Sequence, residues 1–303
     1  MNVFITGGLG FVGRHLSSTL LELGHRVTAV GRSKNPSGII NHPNFKYLAA
    51  DTTVAGDWQK RLAEHDTVVN LAGKSIFTLW TEKTKRQIYD SRILTTRHIA
   101  EALAGGSGNT VFFSTSAVGY YGERGEDVLI ESEPPGHDFL ARLAQDWERE
   151  ALQAQSARTR VVLTRFAIVL HRSGGAMTTM IPAFKLCLGG RLGTGRQWFP
   201  WIHLDDLIDA YLFVLDHPEI AGPVNWCAPH PVRNQDLTER LARRLKRPAM
   251  LSVPGFVMKN VLGEFGQALT CSQRVQPAVL QKTDFLFTYG EIDSALDEIV
   301  LGG

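Results

Sequence analysis

Three glycines at a spacing of three follow an apolar run near the start of the chain. Gly7, Gly10 and Gly13 come after a predicted strand at residues 2–6 and open a predicted helix at residues 11–23. A pyrophosphate needs bare backbone amides, the positive end of a helix dipole behind them, and no Cβ that prevents close approach. The arrangement therefore predicts a loop that binds the phosphates of a dinucleotide. A flexible turn is the competing interpretation of the same glycines.

Short apolar runs rich in β-branched residues alternate with longer helical patterns through the first half of the chain. The predicted strands are residues 2–6, 26–30, 45–50, 67–71, 110–114 and 160–166. This alternation is typical of a parallel sheet with crossover helices. Right-handed crossovers then impose a doubly wound sheet that binds ligands at the carboxyl ends of its strands. We therefore expect an α/β Rossmann fold, with residues 1–170 as the dinucleotide-binding domain.

Glycine and proline become frequent after residue 170, where they separate shorter elements. The predicted helices of this part are residues 204–216, 234–246, 255–269 and 290–300. We interpret residues 171–303 mainly as a smaller substrate lobe, some elements of which can return to the first domain. A chain of 303 residues is long enough for one large domain with such a lobe.

Composition limits which partners and which cellular location we expect for this chain. The 32 Lys and Arg against 30 Asp and Glu give a formal charge of +2, far from the basic excess of a nucleic-acid-binding surface. The sequence shows neither an apolar stretch of about 18 residues nor a basic, apolar leader. Three cysteines fit neither a disulfide framework nor a zinc site. We therefore expect a cytoplasmic protein with no nucleic acid, membrane or metal partner, and leave its oligomeric state open.

The turn after the second predicted strand reads Gly31-Arg32-Ser33. Sites that prefer NAD place an acidic residue here to bind the adenosine ribose, whereas a cation accommodates the 2′-phosphate of NADP. No carboxylate occupies this turn, and Arg32 can form charge-assisted hydrogen bonds with a phosphate. The turn therefore predicts NADP(H) as the cofactor. The alternative is that Arg32 is an ordinary solvated arginine.

Motifs in a fixed order along nearly the whole chain resemble the extended short-chain dehydrogenase/reductase superfamily. These motifs are residues 6–13, 70–73, 114–116 and 201–206. More narrowly, the chain resembles the atypical nucleotide-sugar-epimerase-like branch that is called SulA-like or cell-division-inhibitor-like. The segments that carry this narrower resemblance are residues 70–73, 89–92, 117–122, 189–197 and 272–275. The resemblance implies a Rossmann domain, a nicotinamide cofactor and a small-molecule substrate.

The resemblance also implies contacts between this chain and the cofactor. The ends of the third and fourth strands would meet the adenine, the adenosine and its ribose, and the end of the sixth would pass near the nicotinamide. For the apolar members of the set, simple packing in the core is an equal alternative. The expected contacts are Gly7, Gly10, Phe11, Val12, Gly13, Gly31, Arg32, Ser33, Asp51, Leu71, Ala72, Gly73, Arg92 and Val169.

The superfamily's catalytic serine corresponds to Ser116, whose hydroxyl can hydrogen-bond a substrate oxygen or, alternatively, cap the loop. The usual proton donor is a tyrosine four residues before a lysine, which lowers the pKa of the phenol. Four residues after the six tyrosines stand Asp51, Ile93, Arg124, Gly125, Leu215 and Asp293. The pair of tyrosine and lysine is therefore absent.

Replacement proton donors have to come from other positions. Tyr120 and Tyr121 follow the serine strand, and Arg124 could take the place of the lysine beside Tyr120. Asp138 is first of all a candidate N-cap of the next helix, and His203 a residue that orients the helix after it. We therefore take Ser116, Tyr120 and Tyr121 as the candidate catalytic residues.

The expected substrate wall contains Arg196, followed by Trp198, Phe199 and Trp201. Related epimerases place an arginine in this stretch to hold a nucleotide diphosphate, so the aromatic residues put nucleotide-sugar binding in doubt. They favour a small molecule with an anionic or planar group near Arg196, although aromatic core filler is an equal alternative. Two functions remain open. One is an NADP(H)-dependent oxidoreductase or epimerase-like enzyme, and the other is a non-catalytic NADP(H)-binding redox sensor.

Overall fold

The computed structural model describes residues 1–106, 108–249 and 251–302, with only the backbone of residue 259. The strands are β1 (Asn2–Thr6), β2 (Arg26–Gly31), β3 (Phe45–Ala49), β4 (Thr67–Asn70), β5 (Thr110–Ala117), β6 (Val128–Leu129), β7 (Thr159–Phe166), β8 (Ile168–His171), β9 (Gly174–Gly175), β10 (Gly190–Leu192), β11 (Trp198–Phe199), β12 (Trp201–His203), β13 (Gly222–Trp226), β14 (Val232–Arg233), β15 (Leu251–Val253) and β16 (Arg274–Val275). The α-helices are α1 (Phe11–Glu22), α2 (Glu82–Ala104), α3 (Phe139–Leu152), α4 (Met177–Lys185), α5 (Leu204–Asp216), α6 (Asn234–Leu245), α7 (Gly255–Leu262), α8 (Glu264–Ala268), α9 (Ala278–Gln281) and α10 (Ile292–Leu301). Two 3₁₀ turns occupy Gln59–Glu64 and Val118–Tyr121.

Seven parallel strands form the central sheet in the order β13-β7-β5-β4-β1-β2-β3. The chain leaves β1 toward β2 and β3 and then returns to the other side of β1 as β4, so the strand order reverses between β1 and β4. Ligands of doubly wound sheets bind outside the carboxyl ends of the strands at such a reversal. The predicted α/β Rossmann fold is therefore confirmed.

A buried hydrogen-bond network fixes the carboxyl ends of β1 and β4 beside each other. The Thr6 hydroxyl donates to Asn70 Oδ1 at 2.6 Å and accepts the backbone N–H of Ala72 at 3.2 Å. The Asn70 amide donates to Thr96 of α2 at 2.8 Å, so the helix is tied to the same point. Because buried polar groups need partners, this network favours a single register at the crevice.

Both faces of the sheet are covered because its central strands are apolar on both sides. Successive side chains of a strand point to opposite faces. Val3 and Ile5 pack with α1 and α5, whereas Phe4 packs with α2 and α3 on the other face. The chain thus buries both faces of the sheet, which is the rule for parallel sheets.

All six predicted strands are present, and β5 continues three residues beyond its predicted end, to Ala117. The seventh strand, β13, comes from the part that we interpreted mainly as a lobe. It pairs with β7 from Gly222↔Val162 to Trp226↔Phe166. Its sequence, which contains glycine and proline, gives little indication of a strand, and only pairing with β7 defines it.

A separate core lies beneath the remaining C-terminal elements. Leu170, Trp201, Leu237 and Leu296 are buried there and bring β8, β12, α6 and α10 together. The predicted helix at residues 255–269 is wrong as a single element, because Gly263 adopts φ +60° and separates α7 from α8. Within the described ranges, no helix combines the length and the apolarity needed to cross a bilayer.

Asp206 connects α5 with the last part of the chain. Its carboxylate is fully buried and accepts the backbone N–H groups of Thr288 at 2.8 Å and Tyr289 at 3.0 Å. Burial raises the pKa of Asp206 to about 6, although the two N–H donors act in the opposite direction. The folded protein therefore binds a proton here more readily than the unfolded chain does. The stability from this difference is present at pH values below the ordinary pKa of 3.8 and is lost as the pH rises through about 6.

We expect Asp206→Asn to remove this dependence on pH, because the amide does not titrate. Between about pH 4 and pH 7, the wild-type free energy of unfolding should fall relative to the variant by up to about 3 kcal/mol. Urea unfolding at several pH values measures the difference. Asp216→Asn, at the exposed end of the same helix, is the control. Parallel curves for wild type and Asp206→Asn would contradict the raised pKa.

Candidate cofactor and substrate site

Two of the loop glycines allow the strand, the loop and α1 to pack closely. Gly7 has φ +70°, and its N–H donates to the Val30 carbonyl at 2.8 Å. A Cβ on Gly7 would lie 3.0 Å from the Leu71 carbonyl group. On Gly13, a Cβ would lie 2.4 Å from the Gly7 carbonyl oxygen, too close for any side chain. Gly7 and Gly13 are thus required by the fold itself.

Gly10 has a different environment, since it faces away from the packed side of the loop. It is the N-cap of α1 in extended conformation, and its N–H donates to the Gly7 carbonyl at 2.8 Å. Among the described residues, a Cβ here would have one near neighbour, the Gly7 oxygen at 3.0 Å. The first amides of α1, from Phe11 to Gly13, have no carbonyl acceptor within the helix. Gly10 therefore leaves these amides accessible to an anion in front of the helix.

The two apolar residues after Gly10 attach the helix to the rest of the molecule. The ring of Phe11 packs against β9, where a Cβ on Gly174 would lie 2.1 Å from it. Val12 and Val169 are half-buried and pack against the core on the same side of the sheet. Cofactor contact by Phe11, Val12 and Val169 stays a prediction.

Arginines border the loop that follows β2. Arg32 is exposed, and the Tyr47 hydroxyl donates to the Ser33 carbonyl at 2.9 Å and so fixes the turn. A Cβ on Gly31 would lie 2.8 Å from that hydroxyl. From the first turn of α1, the Arg14 guanidinium donates to the Gly38 carbonyl of the same loop. Arg14 was not predicted from the sequence as a residue of this loop, although its position directly after the third loop glycine places it in the first turn of α1.

The carboxyl ends of β3 and β4 carry further predicted contacts. Asp51 is exposed, and its carboxylate accepts the N–H of Thr53 at 3.0 Å and the Thr53 hydroxyl at 2.7 Å. Leu71 and Ala72 are half-buried and Gly73 is exposed, all at the β1/β4 crevice. The topology therefore brings the ends of β1, β2, β3 and β4 to one edge of the sheet, as the sequence predicts.

Arg92 reaches that edge from α2. Its guanidinium donates to the carbonyls of Lys74 at 2.9 Å and Ile88 at 3.1 Å, and it stacks on the Trp147 ring at 5.2 Å. A Cβ on Gly73 would lie 3.2 Å from it. Within the described part of the chain no carboxylate pairs with Arg92, and burial lowers its pKa to about 10. A cation with this environment suits an anionic group of a ligand.

A buried ion pair occupies the carboxyl end of β5. Glu148 of α3 accepts two hydrogen bonds from Arg165 of β7, both at 2.8 Å. The Ser116 hydroxyl donates to the same carboxylate at 2.6 Å and is 1 % exposed. Although burial opposes it, the bonds to Glu148 raise the pKa of Arg165. The pair was not predicted, because its partners stand 17 positions apart on a helix and a strand.

The second candidate tyrosine belongs to the same network. The Tyr121 hydroxyl is fully buried, donates to Asn225 Oδ1 at 2.7 Å and accepts from Arg165 at 3.0 Å. Burial raises the pKa of Tyr121, although Arg165 acts against the rise. The hydroxyls of Ser116 and Tyr121 are thus both bonded inside the protein.

Tyr120 is half-buried and lies next to a cation, but not the predicted one. The Arg165 guanidinium lies 3.5 Å from the centre of the Tyr120 ring. Arg124 instead pairs with Asp127 at 3.4 Å and Glu133 at 3.5 Å. The expected pairing of Tyr120 with Arg124 is therefore wrong, because the turn after β5 directs the two side chains to different partners.

Two other interpretations from the sequence are confirmed. Asp138 is the N-cap of α3 and accepts the N–H of Ala141 at 2.9 Å. His203 is the N-cap of α5, where it accepts the N–H of Asp205, and its other ring nitrogen lies 3.1 Å from Glu298. Both side chains thus have structural tasks at helix starts.

Two neighbouring cavities lie between the loop that follows β5 and the C-terminal elements. The larger, of about 880 Å³, lies between α2, α3 and α8, and the smaller, of about 600 Å³, contains Arg196. Glu123 and Thr270 line both cavities. We call the two cavities together the substrate cleft. Trp80, Lys85, Tyr89, Phe139, Arg142 and Asp146 are among the side chains that line its larger part.

Polar groups in the larger cavity are already paired with one another. The Tyr89 hydroxyl donates to Asp146 at 2.8 Å, and burial together with this bond raises the pKa of Tyr89 to about 12. The Lys85 ammonium lies 2.7 Å from Glu82 and 3.1 Å from Glu264. These residues were not predicted, because only the folded chain brings α2 next to α8.

The aromatic residues after Arg196 do not form the expected ring-binding wall. Trp201 is fully buried and Phe199 packs against the same C-terminal core. The Trp198 ring contacts the guanidinium groups of Arg233 at 4.4 Å and Arg274 at 4.8 Å. For Phe199 and Trp201 the core-filler alternative is therefore correct, and aromatic rings face the cleft from Trp80, Tyr89 and Phe139 instead.

We expect Gly10→Val to abolish measurable dinucleotide binding while the protein stays folded. The new side chain would stand in front of the α1 amides, where it prevents close approach of a pyrophosphate. Nucleotide fluorescence titration with circular dichroism as a folding check measures both properties. Gly108→Val, at the opposite end of the sheet with no atom near its Cβ, is the control. A folded Gly10→Val protein with unchanged affinity would show that the loop does not bind phosphates.

Comparisons with known proteins agree with this geometry. The model of the NAD dependent epimerase/dehydratase family matches residues 3–226, and that of a domain of unknown function, DUF1731, matches residues 253–299. The chain is 36% identical over 303 residues to the chloroplastic SDR39U1 homolog of Arabidopsis thaliana, covering 99% of this chain and 87% of the relative. It is 35% identical to the epimerase family protein YfhF of Bacillus subtilis, covering 99% and 98%.

A comparison with solved structures also finds a similar epimerase family protein. The human epimerase family protein SDR39U1, crystallised with NADPH, superposes with a TM-score of 0.86 at 30% identity, and 99% of each chain is covered. The family model covers more than half of the chain, and the relatives span nearly all of it. This chain therefore belongs to the NAD dependent epimerase/dehydratase family.

Proposed function

We propose that this chain is an NADP(H)-dependent oxidoreductase or epimerase-like enzyme acting on a small molecule in the substrate cleft. The observation that carries the proposal is the glycine loop, in which Gly7 and Gly13 are packed and Gly10 leaves the α1 amides accessible. The larger cavity is lined by the start of α3, the helix that follows β5 in the chain. When bound, the cofactor would supply or accept a hydride. Its pyrophosphate would lie at residues 10–13, and Arg92 would face one of its anionic groups.

Charge at the end of β2 supports NADP(H) rather than NAD(H). Residues 31–44 contain no aspartate or glutamate, and Arg32 and Lys34 are both exposed there. Arg14 approaches this loop from α1, so a 2′-phosphate would meet cations from two elements. The human relative of 30% identity was crystallised with NADPH. The same surroundings offer no carboxylate for the ribose hydroxyls of NAD.

We expect NADPH to bind at least tenfold more tightly than NADH, because a charge-assisted pair contributes about 1.5 to 3 kcal/mol. Arg32→Ala should remove most of this preference and leave NADH affinity unchanged. Fluorescence titration with both nucleotides is the measurement. Arg26→Ala, at the amino end of the same strand, is the control. Equal affinities in the wild type, or a preference that survives Arg32→Ala, would disprove the role of this arginine.

For the substrate, we propose a small molecule with an anionic group at Arg196 and a planar or apolar part in the larger cavity. Arg196 is exposed in the smaller cavity, and Trp80, Tyr89 and Phe139 give the larger one aromatic walls. Phe199 and Trp201 fill the C-terminal core, and residues 197–203 contain no second arginine for a nucleotide diphosphate. Nucleic acid and membranes are not part of this proposal, and the number of subunits stays open.

The cytoplasm stays our proposed location, and the SulA-like or cell-division-inhibitor-like branch our proposed narrower family. All three cysteines are free thiols, as expected in a reducing compartment. The segments behind the narrower resemblance have definite tasks in the structure. Ser91 and Arg92 bind the N–H and the carbonyl of Lys74, at 3.0 Å and 2.9 Å respectively, and so hold the loop after β4.

Ser116, Tyr120 and Tyr121 remain the proposed catalytic residues, with different tasks. Reduction of a carbonyl leaves an alkoxide that must be protonated, and general acid catalysis there contributes roughly 10² to 10⁴ in rate. Tyr120 is our proposed donor, because its hydroxyl forms no hydrogen bond within the described residues and its ring lies 3.5 Å from the Arg165 guanidinium. Ser116 and Tyr121 would act through the Glu148–Arg165 pair unless the bound cofactor changes their hydrogen bonds.

A second candidate function is a non-catalytic NADP(H) sensor, and one observation favours it. Helix α3 contains neither tyrosine nor lysine, and the hydroxyls of Ser116 and Tyr121 are both bonded within a buried network. A protein of this kind would bind the nucleotide tightly without turning over any carbonyl or alcohol. The two candidates therefore differ in turnover and not in nucleotide affinity.

We expect no measurable turnover of nucleotide-sugar epimerase substrates. Any activity found in a broad carbonyl screen should fall at least tenfold in Ser116→Ala and in one of Tyr120→Phe and Tyr121→Phe. Tyr289→Phe, whose ring packs on His203 far from β5, is the control. The stability of Tyr121→Phe must be measured too, since the variant leaves the buried Asn225 Oδ1 without its donor and removes one hydrogen bond of Arg165. Activity that survives all three changes would refute these roles, whereas tight NADPH binding without any turnover would favour the sensor.

A further inference from the structure

Residues 272–275 bind the loop that follows β5 from the other end of the chain. They lie within the part that matches the domain of unknown function, residues 253–299. The loop comprises residues 118–126, between β5 and the short strand β6, and it carries Tyr120 and Tyr121. We call it the β5 loop. More than 140 positions separate the two segments, so tertiary structure alone brings them together.

Ser272 forms hydrogen bonds with three consecutive residues of the β5 loop. Its N–H donates to the Glu123 carboxylate at 2.6 Å, its carbonyl accepts the N–H of Arg124 at 3.1 Å, and its hydroxyl donates to the Gly125 carbonyl at 2.7 Å. The same hydroxyl accepts the N–H of Trp198 at 3.1 Å. Ser272 is buried, so its own N–H and hydroxyl would lack partners without these bonds.

Gln273 binds the two ends of the turn that carries the tyrosines. Its side-chain amide donates to the carbonyls of Val118 at 3.1 Å and Gly122 at 3.0 Å. The turn between them is a single 3₁₀ turn that ends at Gly122 with φ +65°. A turn this short leaves carbonyls without N–H donors of its own, and the side-chain amide of Gln273 supplies them from outside.

A short parallel ladder continues the attachment beyond the β5 loop. Arg274 and Val275 of β16 pair with Val128 and Leu129 of β6. The N–H of Gln276 donates to the Leu129 carbonyl at 2.9 Å. The β5 loop is thus held by side chains along its length and by a backbone ladder at its end.

The attached loop forms part of the wall between the two cavities. Glu123 lines both of them, as does Thr270, which stands two residues before Ser272. Cys271 lines the larger cavity, and its thiol lies near Asp138 and Glu123. The position of Glu123 therefore decides how the cleft is divided, and Ser272 holds Glu123 directly.

We propose that Ser272 and Gln273 are positioning residues that fix the β5 loop, and with it Glu123, as the partition of the substrate cleft. This gives the C-terminal domain of unknown function a task in setting the shape of the site. The proposal rests on the proposed function only in treating the two cavities as the place where substrate binds. Neither residue touches the cofactor loop, so nucleotide binding should not depend on them.

The test compares Gln273→Met with Gln276→Met in the full-length protein. The first change removes both donated bonds at similar side-chain length. The second is matched, because the Gln276 side chain makes no hydrogen bond within the described residues. For Gln273→Met we expect hydrogen exchange in residues 118–126 and alkylation of Cys271 by iodoacetamide to accelerate at least tenfold. Both rates should stay within about twofold of wild type in Gln276→Met.

The other two cysteines calibrate the alkylation. Cys187 is exposed and reports the intrinsic rate of reaction, whereas Cys227 is 1 % exposed in the core and reports global opening. Local release of the β5 loop should accelerate the alkylation of Cys271 and leave the alkylation rate of Cys227 unchanged. Equal acceleration of Cys271 and Cys227 would overturn the proposal, because it would show general destabilisation. Unchanged exchange and alkylation in Gln273→Met would overturn it as well.

A variant that regains a donor on protonation separates hydrogen bonding from packing. Gln273→Glu presents a carboxylate to two carbonyls at neutral pH, and one hydroxyl donor once it is protonated. At each pH, the rate of hydrogen exchange in residues 118–126 of Gln273→Glu is divided by the wild-type rate. We expect this ratio to fall at least threefold between pH 7 and pH 5. A ratio that stays constant with pH would contradict a role for the hydrogen bonds that Gln273 donates. NADPH affinity, measured on the same proteins, separately tests the proposed function.

Discussion

The buried pair of Glu148 and Arg165 determines what the carboxyl end of the sheet can do. Its two hydrogen bonds join α3 to β7, and it binds Ser116 and contacts both tyrosines of the β5 loop. Removal of one partner of a buried pair typically costs about 3 to 5 kcal/mol, because the other charge is left without compensation. The pair therefore fixes the hydroxyls of Ser116 and Tyr121. A catalytic arrangement here has to work with this constraint, and Tyr120 is the candidate whose hydroxyl the network leaves unused.

The cofactor side and the substrate side of the proposed site are built by different means. At the cofactor side, backbone geometry dominates, since Gly7 and Gly13 allow close packing and Gly10 leaves amides accessible. At the substrate side, long-range contacts dominate, since α2, α3, α8 and residues 270–273 meet only in the folded chain. The match to a domain of unknown function coincides with the part that shapes the cleft.

Parts of the structure followed from local pattern. The strands at residues 2–6, 26–30 and 67–71 were predicted within one residue, because apolar runs of this length between helices bury both faces of a parallel sheet. The helix break at Gly263 was missed, because a glycine in a helical pattern does not reveal its φ angle. The strand Gly222–Trp226 was missed as well, because its partner β7 lies about 60 residues earlier.

The sequence by itself determined the Rossmann sheet, the glycine loop and the absence of the usual tyrosine–lysine pair. These properties depend on spacing along a few residues, which the chain shows directly. Only the tertiary structure decided that Arg165 and not Arg124 lies beside Tyr120, that Ser116 binds Glu148, and that Gln273 holds the β5 loop. These contacts join residues between 32 and 155 positions apart, and a side chain's partner at that separation depends on how helices and strands pack.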